Sequence, residues 1–346
     1  MDNYFGETSG DSKIIAKPEV LAPDYLPEEI LYRSTELQTI ADSIKPLLRK
    51  QEMNNLFVYG KSGTGKTVSI RVLIKQLREH SPNIIPVYVN CWENHTQMAV
   101  YNRINEEIKL PLPRRGLATD EIFDRILQYV KNYKKPVLLV LDEMDGLRHK
   151  ELLYVIARAN EKSGVRFGII GISNNFDLLS NLDARTRSSI HFSTMEFKHY
   201  SEDQLVEILK KRAEAALVPR SFDEKLLRKI ASEAEERNAR SAIHILRKTA
   251  EYAEKNGRDR ITLQDLADSS YEKDHSELHV SDEEQDILNV LKTDEMESSK
   301  LYEALDSNKT KRQIRNYLEL LEKKGLVESE EIPGTGLIKS KIYRLK

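Results

Sequence analysis

The sequence predicts a doubly wound α/β domain, then an all-helical segment, then a compact module of helices and a hairpin. Three observations predict it. Short apolar runs suited to buried parallel strands alternate with helical stretches through the first 200 residues. Strand signals then stop between Ser201 and about Tyr271. The chain finally resumes with short helices and two strand runs around Pro333-Gly334-Thr335-Gly336.

Taken in order, residues 1–24 read as a flexible arm, and Pro18, Pro23 and Pro27 punctuate the approach to the first domain. Leu37 to Leu48 reads as a helix. Leu56 to Tyr59 is a strand that runs into a glycine-rich loop, and Val68, Ile70, Val72, Leu73 and Leu77 give the next helix an apolar face. Ile85–Asn90, Val137–Leu141, Phe167–Ile172 and His191–Phe197 are the remaining strands expected in this region. Ser201 caps the first helix of the next segment, with acids in its first turn. Phe222–Glu235, Ala239–Lys255 and a short Thr262–Asp268 follow, and residues 272–280 read as a linker. Asp282–Leu291, Ser298–Leu305 and Thr310–Lys324 are expected helices, the last with Ile314, Tyr317, Leu318 and Leu321 on one face and Gly325 after it. Val327–Ile332 and Leu337–Leu345 complete a hairpin, and three helices before a hairpin make a winged helix-turn-helix.

Composition excludes several classes. A chain of 346 residues has room for two or three cores. No apolar run is long enough for a bilayer, and the polar, acidic start is unlike a signal peptide, so no membrane role and a cytoplasmic location are expected. Cys91 is the single cysteine, which excludes an intrachain disulfide or a cysteine-cluster metal site, and the 8 histidines lack the HExxH spacing. Cys91 reads as a small apolar filler, and Trp92 and Tyr101 as packing residues. The formal net charge of −2 hides a sorted distribution: acids dominate from Glu277 to Asp306 and bases from Lys309 to Lys346.

Gly60-Lys61-Ser62-Gly63-Thr64-Gly65-Lys66-Thr67 matches GxxxxGK[ST] in full, and it lies between an apolar strand and an amphipathic helix that begins with Val68 in its first turn. Glycines let backbone N–H groups converge on phosphate oxygens, and the helix offers its positive end. Lys66 is expected at the β and γ phosphates of ATP, or at the β phosphate of ADP, and Thr67 at a magnesium ion. Asp142-Glu143 ends an all-apolar strand, where open α/β sheets place ligand groups. Asp142 is expected to hold the same metal, and Glu143 to polarise an attacking water. Asn174 follows the next strand and is placed to orient that water; Asn175 beside it leaves the choice open. Arg185 precedes the last strand and is a candidate for acting on a neighbouring subunit's nucleotide. Arg240 stands in a first helical turn, where a cation opposes the helix dipole unless a phosphate is present.

Together these residues resemble an AAA+ ATPase, and more closely the archaeal replication initiators related to the origin recognition complex and the cell-division-control loading factor. The resemblance runs from about Pro23 to Lys346. It rests on Pro23-Asp24-Tyr25-Leu26-Pro27 with Tyr32-Arg33, Val89-Asn90-Cys91, Leu110 to Asp120, Leu141 to Asp145, Gly171 to Asn174, Leu182 to Ser189, His199 to Leu205 and Asn238 to Ala242. It implies an AAA+ core over 25–199, a helical lid over 200–275 and a DNA-binding winged helix over 276–346. It also implies that Tyr25, Leu26 and Arg33 lie on the adenine side of the nucleotide, and that slow ATP hydrolysis works as a switch. The implied partners are double-stranded origin DNA, the replicative helicase and a paralogous initiator. Ala184 departs from a usual proline, and Arg237-Asn238 from a usual Gly-Asp pair.

On the expected recognition helix, Lys311, Arg312, Arg315 and Asn316 lie opposite the apolar face and suit base edges in a major groove. Lys339 and Lys341 alternate with Ile338 and Ile342 and, with Arg344, are expected to grip phosphates or a minor groove. Arg114 and Arg115 add a second expected DNA contact from the insertion. Two other classes stay open: a nucleotide-regulated signalling or transcription factor, and a clamp-loader-like ATPase whose partners are proteins.

Overall fold

A computed structural model describes residues 12–112, 116–276, 282–291, 296–297, 300–302, 305, 311–323, 326–332 and 340–345. The chain divides into two compact units, one ending at Leu266 and the other beginning at Ala267.

The first unit is built on a five-stranded parallel sheet of β1 (Leu56–Tyr59), β2 (Ile85–Asn90), β3 (Val137–Asp142), β4 (Phe167–Ser173) and β5 (Ser193–Glu196). The order is β2-β3-β4-β1-β5. Register pairs Asn90 with Asp142 and Tyr59 with Ser173, which brings the carboxyl ends of the inner strands level. Side chains alternate between the two faces. Phe57, Val87, Leu139 and Leu141 enter one core with α3 (Gln97–Ile108), α4 (Thr119–Tyr133) and α5 (Glu151–Ala157). Leu56, Val58, Leu138, Val140 and Ile170 enter the other with α1 (Ser34–Leu48) and α2 (Lys66–His80). Strands buried on both faces read as continuous apolar runs, as β3 does. α6 (Ala159–Ser163) and α7 (Ala184–Ile190) complete this layer.

The helices α8 (Glu202–Ala216), α9 (Glu224–Glu233) and α10 (Ala239–Lys255) pack on a core of their own that includes Leu205, Leu209, Leu226, Ile230 and Leu246. Ser201 and Gln204 form a reciprocal capping box at the start of α8. Asn238 caps α10, its side-chain oxygen accepting from the N–H groups of Arg240 and Ser241 at 2.9 and 3.3 Å. Glu236 and Arg237, just before this cap, both adopt positive φ (48° and 54°), a backbone state costing roughly 1–2 kcal/mol per non-glycine residue.

Two expectations need correction. The described part of the expected arm is a structural strap on the helical core, not a free segment. Ile14, Ile15, Val20 and Leu21 are buried among the helices, and Val218 N–H donates to the Ile14 carbonyl at 2.8 Å. Isolated apolar pairs between charged residues carry no periodicity, so the pattern hid them. The helix expected to end at Asp268 continues as α11 (Leu263–Ser276), through half of the expected linker; its polar last turns gave no apolar stripe to read.

The second unit contains α12 (Asp282–Leu291), helical residues 300–302, α13 (Lys311–Lys323) and a sheet of β6 (Met296–Glu297), β7 (Val327–Ile332) and β8 (Ser340–Leu345) in the antiparallel order β6-β8-β7. Its core joins Ile287, Leu291, Leu301, Ile314, Leu318, Leu321, Val327 and Tyr343. Among the described residues no helix is long and apolar enough to cross a membrane.

Candidate functional site

A cavity of about 720 Å³ opens between the glycine loop, the ends of β3 and β4, the segment before α1 and the helical domain. The loop is shaped by close approach. Gly63 has φ +70°, and a Cβ there would fall 1.6 Å from Asn238 Oδ1; Gly65 has φ +93°, and its Cβ would fall 2.6 Å from the Tyr200 hydroxyl. Only glycine fits either place. Ala239 N–H also donates to the Gly63 carbonyl at 3.3 Å, so the start of α10 rests on the loop.

Lys66, in the first turn of α2, is buried, and its ammonium donates to the carbonyls of Gly60 and Lys61 at 2.7 Å and to Asn174 Oδ1 at 2.9 Å. Burial pushes its pKa down to about 8 against the attraction of Asp142; the charge of Arg240 adds to the lowering and that of Asp145 opposes it. Asp142 is buried at the end of β3. Its Oδ2 accepts from the Tyr88 hydroxyl at 2.6 Å and its Oδ1 from the Glu143 N–H at 2.9 Å. Glu143 lines the cavity with φ 53°, a left-handed turn that follows the strand at once. Ser173 Oγ donates to Asp145 Oδ1 at 2.7 Å and so ties the ends of β3 and β4 together.

The geometry separates the two asparagines. Asn174 lines the cavity and meets Lys66, whereas Asn175 Oδ1 accepts from Asp177 N–H at 2.9 Å and caps a short turn. Ser62, Gly63, Gly65, Lys66, Thr67 and Val68 line the cavity; Gly60, Lys61 and Thr64 complete the loop away from its wall. Tyr25 also lines it, and Leu26 does not. Arg240 reaches the wall from α10, beside Arg247. Arg185 is exposed on the first turn of α7, outside the cavity lining; its N–H donates to the capping Asp183 at 3.0 Å.

Arg33 departs from its expected place on the adenine side. It is buried behind the loop, with Nε donating to the Thr64 carbonyl at 3.1 Å, Nη1 to Glu36 at 2.7 Å and Nη2 to the Lys198 carbonyl at 2.5 Å. Three of its five N–H donors meet protein acceptors, and it does not line the cavity. Tyr88 escaped the sequence pattern, because nothing in one strand states which residue of a neighbouring strand it faces. Trp92 is another correction: it is 73% exposed, whereas Tyr101 is buried and stacks on Phe123 with centroids 4.6 Å apart.

In the second unit, Arg315 and Asn316 are exposed on α13, and Lys311 and Arg312 fall in its first turn. Lys339, Arg114 and Arg115 lie outside the described residues. Lys341 and Arg344 do not share a face of the hairpin. Three residues apart on one strand, they lie on opposite faces. Lys341 donates to Ser329 at 3.2 Å and lies 3.9 Å from Glu322, while Arg344 pairs with Glu328, its cross-strand neighbour, at 3.3 Å.

The residues fit a nucleotide with a metal. The loop and helix start offer N–H donors, Lys66 and Arg240 offer positive charge, and Thr67 and Asp142 offer hard oxygen ligands suited to magnesium. Fold and cavity together define a P-loop nucleotide-binding domain of the AAA+ class. Residues 49–179 match the family model described as an AAA domain, and residues 206–270 match the Cdc6 AAA+ ATPase-type lid domain. The ORC1-type DNA replication protein 2 of Methanosarcina mazei is 30% identical over 309 residues, covering 85% of this chain and 82% of that protein. The ORC1-type DNA replication protein 1 of Sulfolobus acidocaldarius is 32% identical over 261 residues, covering 73% of this chain and 66% of its own length. The match to this relative, like that to the Pyrococcus furiosus protein, thus spans just under two thirds of the relative. Among solved structures, the Aeropyrum pernix ORC1 protein in complex with DNA superposes with a TM-score of 0.69 at 26% identity, covering 96% of this chain and 94% of that one. Cdc6p from Pyrobaculum aerophilum gives a TM-score of 0.69 at 25% identity with the same coverage. The chain belongs to the ORC1-type DNA replication protein family.

Proposed function

We propose that this protein is an ATP-dependent initiator of DNA replication that binds double-stranded origin DNA and helps to recruit or load the replicative helicase, acting in the cytoplasm at the nucleoid. The observation that carries the reading is the convergence of Lys66, Asp142, Glu143 and Asn174 with Arg240 of the lid on one cavity. In this reading the loop N–H groups and Lys66 hold the phosphates of ATP or ADP, and Thr67 and Asp142 hold Mg²⁺, which screens phosphate charge when bound. Glu143 accepts a proton from water, Asn174 orients that water, and Arg240 joins the phosphates to the lid. Arg185, exposed on α7, is available to a neighbouring copy or a paralogous initiator. Hydrolysis is slow and sets how the lid and the DNA-binding unit are presented.

Family membership and the likeness to the Aeropyrum pernix ORC1 protein, whose structure is a complex with DNA, support duplex DNA as the partner. The winged-helix reading of the second unit assigns base contacts to Lys311, Arg312, Arg315 and Asn316 and backbone contacts to Lys339, with Arg114 and Arg115 adding contacts from the first unit. A second reading, an ATPase directed at protein partners, is favoured by the pairing of Lys341 and Arg344 with glutamates, which lowers the free positive charge of the hairpin. Calorimetry of nucleotide-free protein with ATP and ADP, followed by footprinting on genomic DNA of the source organism, tests both readings. Binding of nucleotide with protection of discrete duplex sites is expected. No affinity for adenine nucleotides would overturn the proposal, and nucleotide binding without duplex protection would favour the second reading.

A further inference from the structure

Arg33 gives three of its five N–H donors to protein acceptors, and the three acceptors lie in three different segments. Nε holds the Thr64 carbonyl inside the glycine loop, and Nη2 holds the Lys198 carbonyl in the link between β5 and α8. Nη1 is anchored to Glu36 on α1. The guanidinium also lies between two rings, 5.2 Å from the centroid of Phe197 and 4.1 Å from that of Tyr200. Phe197 is buried in the core on one face of the sheet, and Tyr200 in the core of the lid. The Tyr200 hydroxyl stands 2.6 Å from where a Cβ on Gly65 would be, so the lid core touches the loop directly beneath the phosphate cradle.

We propose that Arg33 is a positioning residue that couples the phosphate loop to the lid hinge, so that filling the loop with nucleotide fixes residues 198–205 and the lid they carry. The inference rests on the nucleotide reading above. A planar guanidinium holds three acceptors in fixed directions; a lysine ammonium keeps the charge and its attraction to the rings but has no fork. A shift of the Thr64 carbonyl on phosphate binding therefore moves a rigid fork whose other end is the hinge.

Amide hydrogen exchange with and without ADP, on wild type, Arg33→Lys and Tyr200→Phe, tests this. In wild type, ADP is expected to protect both the loop with the start of α2 and residues 198–205. In Arg33→Lys, ADP affinity is expected to fall about tenfold, the scale of one lost charge-assisted hydrogen bond. ADP should still protect the loop in that variant while the added protection at 198–205 disappears. A purely structural role would instead lower protection in both regions already without ADP. Tyr200→Phe keeps the stack and removes the hydroxyl, and it is expected to lose part of the hinge protection; it carries the test if Arg33→Lys does not fold. Hinge protection equal to wild type in the folded variants would overturn the coupling. Wild type that binds no ADP would remove the nucleotide reading, and the coupling with it.

Discussion

The ammonium of Lys66 donates to the side-chain carbonyl of Asn174, 2.9 Å away and 108 residues on in sequence. This bond joins the helix that follows β1 to the end of β4, and it places the loop lysine at the point where the attacking water is proposed to sit. Removing either partner therefore has different consequences. Lys66→Ala is expected to abolish ATP and ADP binding, read by calorimetry and by loss of the nucleotide-dependent rise in melting temperature. Asn174→Ala is expected to leave binding within a few-fold and to lower hydrolysis by about 10²-fold, the usual scale for a lost positioning or acid–base contact. Unchanged affinity in Lys66→Ala would refute the site.

Glu143→Gln is expected to bind ATP as wild type does and to lose turnover, measured by single-turnover hydrolysis. Tyr88→Phe should act on the metal instead. The Tyr88 hydroxyl fixes one oxygen of Asp142, and without it that carboxylate is held only through its other oxygen, by the Glu143 N–H. The Mg²⁺ concentration giving half-maximal ATP binding is expected to rise several-fold while metal-free ADP binding holds. An unaltered Mg²⁺ titration would remove Tyr88 from this role.

Lys66 sets a pH dependence. Its folded pKa lies near 8, below the ordinary 10.5 of a lysine, because burial disfavours the charge. Between these values the unfolded chain binds the extra proton, so the stability of the free protein rises with pH through that window. Phosphate favours the charged form, so nucleotide affinity is expected to fall as pH rises above about 8. Below it, affinity should be level. Calorimetry in buffers of different ionisation enthalpy near pH 8 should register proton uptake on binding; none would exclude Lys66 as the group.

The two basic groups of the hairpin predict a contrast with α13. Arg315→Ala is expected to weaken DNA binding and, if it meets a phosphate, to reduce the salt slope by about one unit. Arg344→Ala, whose charge Glu328 offsets from 3.3 Å away, is expected to weaken binding less than Arg315→Ala does. Fluorescence anisotropy over a salt series compares them. Equal losses for both would restore the hairpin as a phosphate grip.

Much of the nucleotide site was legible because each part is local. The glycine loop, the apolar run ending in Asp142 and the capped helix starting at Asn238 each carry their pattern within a few residues. What escaped depends on distant pairing. Tyr88 meets Asp142 only through the β2–β3 register, and Arg33 meets Thr64 and Lys198 through packing that joins segments 31 and 165 residues away. The paired state of Arg344 was partly available, since residues three apart on a strand must part company, but Glu328 became its neighbour only once the hairpin register was known.

The strap of residues 14–21 has a consequence for how the lid is made. Its core closes with Ile14 bridged to Val218 and Ile15 paired with Leu217, contacts some 200 residues apart. On a ribosome the first piece of the lid emerges long before the rest and must wait, solvent-exposed, while the whole ATPase sheet is synthesised and folds. A fragment that begins at Ser201 would lack this piece and present a bare apolar trench, so the lid is expected to be the last element of the first unit to consolidate during synthesis.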